Sequence, residues 1–361
     1  MAIKVNELLQ LMLKAGISDI HFKAGSTPLL RVHGELMATA FDPLNAAAVE
    51  EMALSLMNGE QKEKFKAEHE LDMSYAIDGV SRFRVNAFRQ RQRLSVSIRF
   101  ISTKIPSMED LRLPVATMKK VADNSRGLIL VTGITGSGKS STLASMIDYV
   151  NETRAEHIIT IEDPIEFVHK DKKAIVSQRE IGEDTSTYID ALRMAMRQDP
   201  DVILVGEMRD LETTSAAMTA AQTGHLVFGT LHTIDAITTI SRIIDLYPPH
   251  QQAVIRLQLG ESLKAVISQR LLPSTKGGRV PALEIMIVTA HIKKLIEENK
   301  PADMVQAVAK GQFYGMQTFN QSLVKLFKDG LVTEEEILDA ATSPDDVKLA
   351  IRGIEQEVKT G

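Results

Sequence analysis

The stretch Gly127-Leu-Ile-Leu-Val-Thr-Gly-Ile-Thr-Gly-Ser-Gly-Lys-Ser-Ser141 decides the fold of this chain. Its apolar start, residues 128–131, predicts a short strand that is buried on both faces. Residues 133–140 then fit the pattern G-x-x-x-x-G-K-[ST], and from Ser141 the apolar spacing predicts a helix. A glycine-rich turn between a strand and a helix N-terminus is typical of a phosphate-binding loop.

The residue types in this loop suit the oxygen atoms of a triphosphate. Glycines let successive backbone N–H groups turn inward with no Cβ in the way. Lys139 would supply a positive charge for the β- and γ-phosphates, and the Ser140 hydroxyl would supply a ligand for Mg²⁺. We therefore predict ATP-type nucleotide binding by Thr135, Gly136, Ser137, Gly138, Lys139, Ser140 and Ser141.

Composition limits the classes of protein to which the chain can belong. With 361 residues, two domains are the expectation, and 44% hydrophobic with 25% charged residues is typical of a globular protein. The net charge of −5 and the aromatic content of 4% argue against nucleic acid as the main partner. No apolar run is long enough to cross a bilayer, so direct membrane insertion is not expected. The chain has no cysteine, which excludes disulfides and suits the cytoplasm.

The pattern of predicted elements divides the chain into three parts. Residues 1–105 combine short helices with antiparallel strands, which predicts a small α+β domain. Residues 106–118 contain two prolines and no clear period, so we predict a linker. In residues 119–361 strands first alternate with helices, which predicts an α/β domain with a parallel-rich sheet.

The end of the chain is predicted to be mainly helical. Apolar spacing predicts helices over 250–271, 289–309 and 333–351, with one extended segment at 280–288. Prolines at 248, 249 and 273 separate these segments.

Carboxylates follow two of the predicted buried strands, 157–161 and 202–205. Glu166 comes shortly after the first strand, and Glu207 comes shortly after the second. Because ligands bind at the carboxyl ends of parallel strands, we expect both strands to lie beside the loop strand and both acids to approach the γ-phosphate. The alternative is that these acids only form structural ion pairs at strand ends.

A glycine takes the position at which a metal-bound aspartate is usual. Gly206 directly follows the second strand. We therefore expect Ser140 and phosphate oxygens to hold Mg²⁺, with Glu207 acting through water.

One histidine stands just past the last strand of the alternating region. His232 follows the predicted strand 225–231. A single histidine is more often structural than catalytic, but side chains at the carboxyl ends of such strands face the ligand. The position therefore favours a contact between His232 and the γ-phosphate.

Arginines are concentrated in the first domain, around Ser81-Arg-Phe-Arg-Val-Asn86 and at Arg99. Strand alternation places Arg82 and Arg84 on one face, opposite the apolar side chains. A solvated basic face and a nucleic-acid patch are two interpretations. A third fits better: an arginine finger from outside the loop domain would neutralise transition-state charge that the loop lysine cannot cover alone.

Together these motifs resemble the secretion-type ATPases, and most closely the retraction ATPases of type IV pili, the PilT-like twitching-motility motors. The resemblance covers nearly the whole chain and places its segments in the family's order. Its segments are Arg82–Asn86, the phosphate loop, Ile161–Phe167 (aspartate box), Ile203–Asp210 (atypical Walker B), Thr223–His232 (histidine box) and Met316–Leu323.

The resemblance implies a homohexameric motor that hydrolyses ATP to power pilus retraction. It implies a PAS-like N-terminal domain, a RecA-like C-terminal domain and docking on an inner-membrane platform protein from the cytoplasmic side. It gives Glu166 and Glu207 the water-activating and Mg-associated roles. It makes His232 a phosphate sensor, and it makes Arg84 and Arg99 the arginine fingers.

One segment departs from the family pattern. The retraction-associated helix motif, of the Ala-Ile-Arg-Asn-Leu type, falls at residues 290–297, where Lys293 and Lys294 replace its Arg and Asn. Two alternatives stay open, besides a DNA-translocating motor of RecA-like fold that the net charge and the scarce aromatic residues disfavour. One is an accessory or non-retracting paralogue that assists another motor. The other is a pilus-assembly or type II secretion ATPase, although those enzymes usually carry extra N-terminal domains and a four-cysteine zinc insert.

Overall fold

The fold is taken from a computed structural model that describes residues 5–15, 17–32, 35–77, 81–101 and 104–353. The chain separates into two compact units: Met1–Lys104 with Glu166–Val168, and Ile105–Ile165 with His169–Gly361. Within the described residues, no helix has the length and apolar character needed to span a bilayer.

The first unit is built on a six-stranded antiparallel sheet in the order β3-β2-β1-β6-β5-β4. Its elements are α1 (Val5–Ala15), β1 (Ile17–Lys23), β2 (Leu29–Val32), β3 (Glu35–Ala38), α2 (Ala46–Ser55), α3 (Gly59–Glu68), β4 (Glu70–Ile77), β5 (Ser81–Gln90) and β6 (Arg93–Ile101). Strand β5 alternates as predicted: Phe83 and Val85 are fully buried, and Arg84 is on the opposite, partly exposed face. The sequence also predicts a two-residue turn at Asp78-Gly79, which lies outside the described residues.

The second unit contains a seven-stranded sheet in the order β13-β12-β7-β11-β10-β8-β9. All neighbouring pairs are parallel except β12 with β13. Its elements are α4 (Val115–Ala122), β7 (Gly127–Thr132), α5 (Lys139–Thr153), β8 (His157–Glu162), β9 (Ile175–Glu180), α6 (Tyr188–Ala195), β10 (Val202–Val205), α7 (Leu211–Gln222), β11 (Leu226–Leu231), α8 (Ala236–Asp245), α9 (Gln252–Ser262), β12 (Leu263–Pro273), β13 (Arg279–Ile287), α10 (Ala290–Glu297), α11 (Pro301–Lys310), a 3₁₀ turn (Gln312–Tyr314), α12 (Phe319–Lys328), α13 (Glu334–Ala340) and α14 (Pro344–Ile351). The predicted α/β fold with a parallel-rich sheet is confirmed.

Burial of the central strands explains why they are apolar throughout. Every residue of β7, β10 and β11 is buried. Helices cover both faces of a parallel sheet, so its strands have no solvated side and no polar alternation. Two separate clusters of buried apolar side chains, one containing Leu128 and the other Ile129, pack on this sheet.

The predicted helix over 250–271 is wrong in its second half. Helix α9 ends at Ser262, and β12 begins at Leu263. Strand β12 pairs with β7 on one side and with β13 on the other, so most of its residues are buried. A buried apolar run of this kind cannot be told from a buried helix by periodicity alone.

Prolines begin several helices where the sequence pattern indicated continuous or irregular segments. The predicted helices over 289–309 and 333–351 are each two helices, the second of which starts at Pro301 and at Pro344. Helix α4 follows Pro114 and therefore begins inside the predicted linker 106–118. Proline suits the first turn of a helix because no intrahelical bond needs its missing N–H there.

The strands that flank the loop strand differ from those predicted. We expected β8 and β10 beside β7, but β11 and β12 occupy those positions, and β10 and β8 follow beyond β11. Chain order does not fix strand order in a sheet whose crossovers can skip a strand. The consequence is that residues after β11 and within β12 lie nearest to the loop.

Candidate nucleotide site

The loop between β7 and α5 has the backbone that its glycines predict. Gly133, Gly136 and Gly138 have φ values of 144°, 79° and 92°, in the left-handed region. A Cβ on Gly133 would also lie 2.4 Å from the carbonyl oxygen of Gln269. Only glycine meets both demands, so the loop depends on these positions.

The polar groups of the loop lie around the start of α5. Lys139 is buried, and its Nζ donates to the carbonyl oxygens of Gly133 (2.8 Å) and Ile134 (3.1 Å). The Ser137 hydroxyl is buried and has no hydrogen-bond partner among the described residues. An unpaired buried hydroxyl, a lysine and a helix N-terminus suit an oxyanion such as a phosphate. Ser140 and Ser141, in the first turn of α5, are half-buried, whereas Thr135 and Gly136 are exposed at the tip of the loop.

Hydrogen bonds and ion pairs connect Glu207, His232 and the tip of this loop. The Glu207 carboxylate is 2.6 Å from Nε of Arg209 and 3.2 Å from Nε2 of His232. The other ring nitrogen of His232 lies 3.5 Å from the Thr135 hydroxyl of the loop. Strand β11 pairs with both β7 and β10, and it therefore carries His232 between the loop and the Glu207 segment.

The charges around Glu207 keep its carboxylate ionised. Burial by itself would raise the pKa of Glu207, but the hydrogen bond from Arg209 and the positive charges of His232, Arg209 and Lys139 lower it overall. An ionised carboxylate next to a phosphate loop can orient water or a hydrated cation.

Steric crowding explains why a glycine directly follows β10. A Cβ on Gly206 would lie 3.0 Å from the carbonyl oxygen of Ile161 and 3.1 Å from the Tyr188 hydroxyl. The Gly206 N–H donates to Ile161 at 2.8 Å, and its carbonyl accepts the Thr230 hydroxyl. The backbone is thus bonded on both sides, and a side chain in this position would disturb the packing.

Glu166 is not part of this cluster of hydrogen bonds. Its side chain is exposed and forms no hydrogen bond or ion pair within the described part of the chain. Burial raises the pKa of the Tyr188 phenol, and three nearby acids, Asp163, Glu207 and Glu162, raise it further.

The two predicted arginine fingers are neighbours in the sheet of the first unit. Arg84 on β5 lies directly opposite Arg99 on β6. Nε of Arg84 bonds both carboxylate oxygens of Asp72 (3.1 and 3.0 Å), and Nε of Arg99 bonds Asp19 at 2.8 Å. Arg99 keeps 67% of its side chain exposed, so its guanidinium still faces solvent on this basic face.

The two lysines of the altered helix form ion pairs on α10. Lys293 lies 3.8 Å from Glu261 of α9 and 3.7 Å from Glu297. Lys294 lies 3.7 Å from Glu298. All three distances are long for ion pairs, and pairs of partly exposed side chains contribute little to stability.

Sequence reasoning missed Gln269, because it lies on the strand that was predicted as helix. Its Oε1 accepts a hydrogen bond from the buried hydroxyl of Thr142 at 2.9 Å, and a Cβ on Gly138 would lie 2.8 Å from its Nε2. The side chain is buried and supports the loop from behind. The sequence offers no local signal for this contact, because the run from Leu263 fits a buried helix as well as a buried strand.

A Gln269→Leu variant should bind ATP more weakly. Leucine leaves the buried Thr142 hydroxyl unpaired and removes an amide that packs on Gly138, which should displace the loop. We expect the KM for ATP to rise about 10-fold, the effect of losing about 1.4 kcal/mol of binding, with a smaller change in kcat. Gln222→Leu, at an exposed position of α7, is the matched control. An unchanged KM in Gln269→Leu would contradict this role.

Comparisons with known proteins identify the family of the chain. The family model described as Type II/IV secretion system protein matches residues 1–339. The chain is 48% identical over 341 residues to the protein named Type IV pilus retractation ATPase PilT of Pseudomonas aeruginosa, covering 94% of this chain and 99% of that one. It is 47% identical over 310 residues to a twitching motility protein of Neisseria gonorrhoeae, covering 86% and 83%. A crystal structure described as the pilus retraction motor PilT with bound ADP superposes with a TM-score of 0.90 at 46% identity, covering 96% and 99%.

Proposed function

This chain belongs to the type II/IV secretion system protein family, and we propose that it is an ATPase that powers retraction of a type IV pilus. The observation that carries the proposal is the meeting of Glu207 and His232 beside the phosphate loop of Lys139. Relatives named for pilus retraction and twitching motility, and a similar crystal structure of a pilus retraction motor with bound ADP, support nucleotide binding and a role in retraction.

In this proposal each residue of the site has a separate role in phosphoryl transfer. Lys139 and the N–H groups at the start of α5 would neutralise the β- and γ-phosphates. Glu207, ionised at neutral pH, would orient a water molecule, and His232 would bond the terminal phosphate. Glu166, whose carboxylate is exposed and has no partner among the described residues, is the second candidate for activating water.

The donor set suits Mg²⁺, which would supply further charge neutralisation on the phosphates. The Ser140 hydroxyl and the Glu207 carboxylate are oxygen ligands, the kind that Mg²⁺ prefers. In our proposal Ser140 holds the ion directly and Glu207 holds it through water.

Arg84 and Arg99 supply the charge that the loop lacks. Both guanidiniums are on one face of the first unit, and each is bonded to an aspartate. A γ-phosphate would compete with those carboxylates for the same donors, since arginine binds both anions with the same fork. We further propose a homohexamer that works in the cytoplasm, docked on a platform protein of the inner membrane.

The phenotype of a deletion strain tests whether the protein retracts or assembles pili. Without the protein, cells should carry more surface pili and should not twitch, because assembly would continue without retraction. Wild-type protein should restore twitching, whereas Glu207→Gln should not. Loss of surface pili in the deletion strain would contradict retraction and indicate assembly. Normal pili with normal twitching would indicate an accessory role.

A further inference from the structure

Glu284, on β13, reaches the start of helix α8. Its Oε1 accepts a hydrogen bond from the backbone N–H of Ala236, the first residue of that helix, at 2.8 Å. Asp235 caps the same end by accepting the N–H of Thr238 at 2.6 Å. Carboxylates are favoured at helix N-termini, where N–H groups lack intrahelical partners. Two acids from distant segments therefore hold the first turn of α8.

Helix α8 begins only four residues after His232. Between them, the Thr233 hydroxyl bonds the Thr239 hydroxyl of α8 at 2.6 Å, and Thr239 also donates to the Asp235 carbonyl at 2.6 Å. Both threonines are buried. The segment from 232 to 236 is thus tied to α8, so the position of the imidazole depends on where the helix starts.

The charged groups that face Glu284 are Asp235 on the cap of α8 and Arg270 on β12. Arg270 is itself fixed: its guanidinium lies 3.9 Å from the centre of the Phe319 ring and donates to the carbonyl of Ala340. The pKa of Glu284 is raised to about 7: burial is the main cause and Asp235 adds to it, whereas the Ala236 hydrogen bond and the charge of Arg270 oppose it. The carboxyl therefore changes its charge near neutral pH.

We propose that Glu284 is a positioning residue of the ATPase site, which fixes the start of α8 to β13 and thereby holds His232 against Glu207. The inference rests on the role of His232 in the proposed function. It adds a residue that lies 52 positions further along the chain and is joined to the site through backbone and helix.

Steady-state kinetics of Glu284→Ala and Glu284→Gln test the proposal. Alanine removes the acceptor of the Ala236 N–H and frees the start of α8. We expect kcat to fall about 10-fold and the KM for ATP to stay within about twofold of wild type, because the His232 imidazole would be misplaced rather than lost. Glutamine keeps an oxygen that can accept the Ala236 N–H, so its loss of kcat at pH 7 should be smaller than that of alanine. A kcat within twofold of wild type in Glu284→Ala would overturn the proposal.

A double-mutant cycle separates this inference from the function on which it rests. In a His232→Ala background, Glu284→Ala should cause no further loss, because both changes act through one imidazole. The same 10-fold loss in both backgrounds would overturn the positioning role. Wild-type turnover in His232→Ala alone would instead refute the role of His232.

The isosteric glutamine variant provides a second test that does not require the alanine variant to fold. An ionised carboxylate accepts the helix N–H more strongly than a neutral amide does. The ratio of wild-type kcat to Glu284→Gln kcat should therefore be roughly several-fold larger at pH 8 than at pH 6, because only the ionised carboxylate forms the stronger hydrogen bond. A ratio that is constant over that range would contradict the proposal.

Discussion

An Arg84→Ala variant should hydrolyse ATP about 1,000-fold more slowly than wild type while binding ATP almost as well. The reason is that an arginine outside the phosphate loop neutralises charge that develops on the transferring phosphoryl group, and that charge is small in the ground state. Phosphate release under saturating ATP measures kcat, and titration with a fluorescent ATP analogue measures affinity.

The variant must be compared with loss of an arginine that has no such role. Arg93→Ala is the matched control, since Arg93 begins β6, is exposed and forms no ion pair within the described residues. Its turnover should equal that of wild type. Unchanged turnover in Arg84→Ala would remove Arg84 from the site and leave Arg99, its neighbour across the strands, as the candidate.

Glu207→Gln should lower kcat by about 1,000-fold, within the range attributed to a positioned general base. The amide is nearly isosteric but has no charge to orient water, and it cannot replace the ionised partner of Arg209 and His232. ATP affinity should be retained, because the phosphate loop is untouched, so the variant should remain loaded with ATP.

Two controls make this result specific. Glu212→Gln changes an exposed acid in the first turn of α7, close to Glu207 in sequence, and should leave turnover unchanged. A melting curve should show that Glu207→Gln is folded at the assay temperature. Substantial ATP turnover by folded Glu207→Gln would transfer the catalytic role to Glu166.

The parts of the fold that follow local rules were predictable. Leu128–Val131 was predicted as a strand buried on both faces because it is a short apolar run directly before the phosphate-loop pattern, and every residue of β7 is buried. Glu166, Glu207 and His232 were each predicted to approach the γ-phosphate because parallel strands end at one edge of a sheet. In the structure His232 lies between Glu207 and the loop, 3.2 Å from the Glu207 carboxylate and 3.5 Å from the Thr135 hydroxyl, whereas the catalytic roles stay a prediction.

The parts that depend on strand order were not predictable. Nothing in the run from Leu263 distinguishes a buried strand from a buried helix, so the position of Gln269 behind the loop was hidden. Glu284 could not be found either, since its contact with Ala236 joins segments 48 residues apart. The aspartates that hold Arg84 and Arg99 follow from register across the sheet, which no local pattern supplies.

The most direct test of the account is a structure of the assembled protein with Mg²⁺ and a non-hydrolysable ATP analogue. The account predicts that in at least one subunit the guanidinium of Arg84 or Arg99 leaves its aspartate and lies within about 4 Å of a γ-phosphate oxygen, the distance of an ion pair. If both arginines remain bonded to Asp72 and Asp19 in every nucleotide-loaded subunit, the arginine-finger mechanism is contradicted.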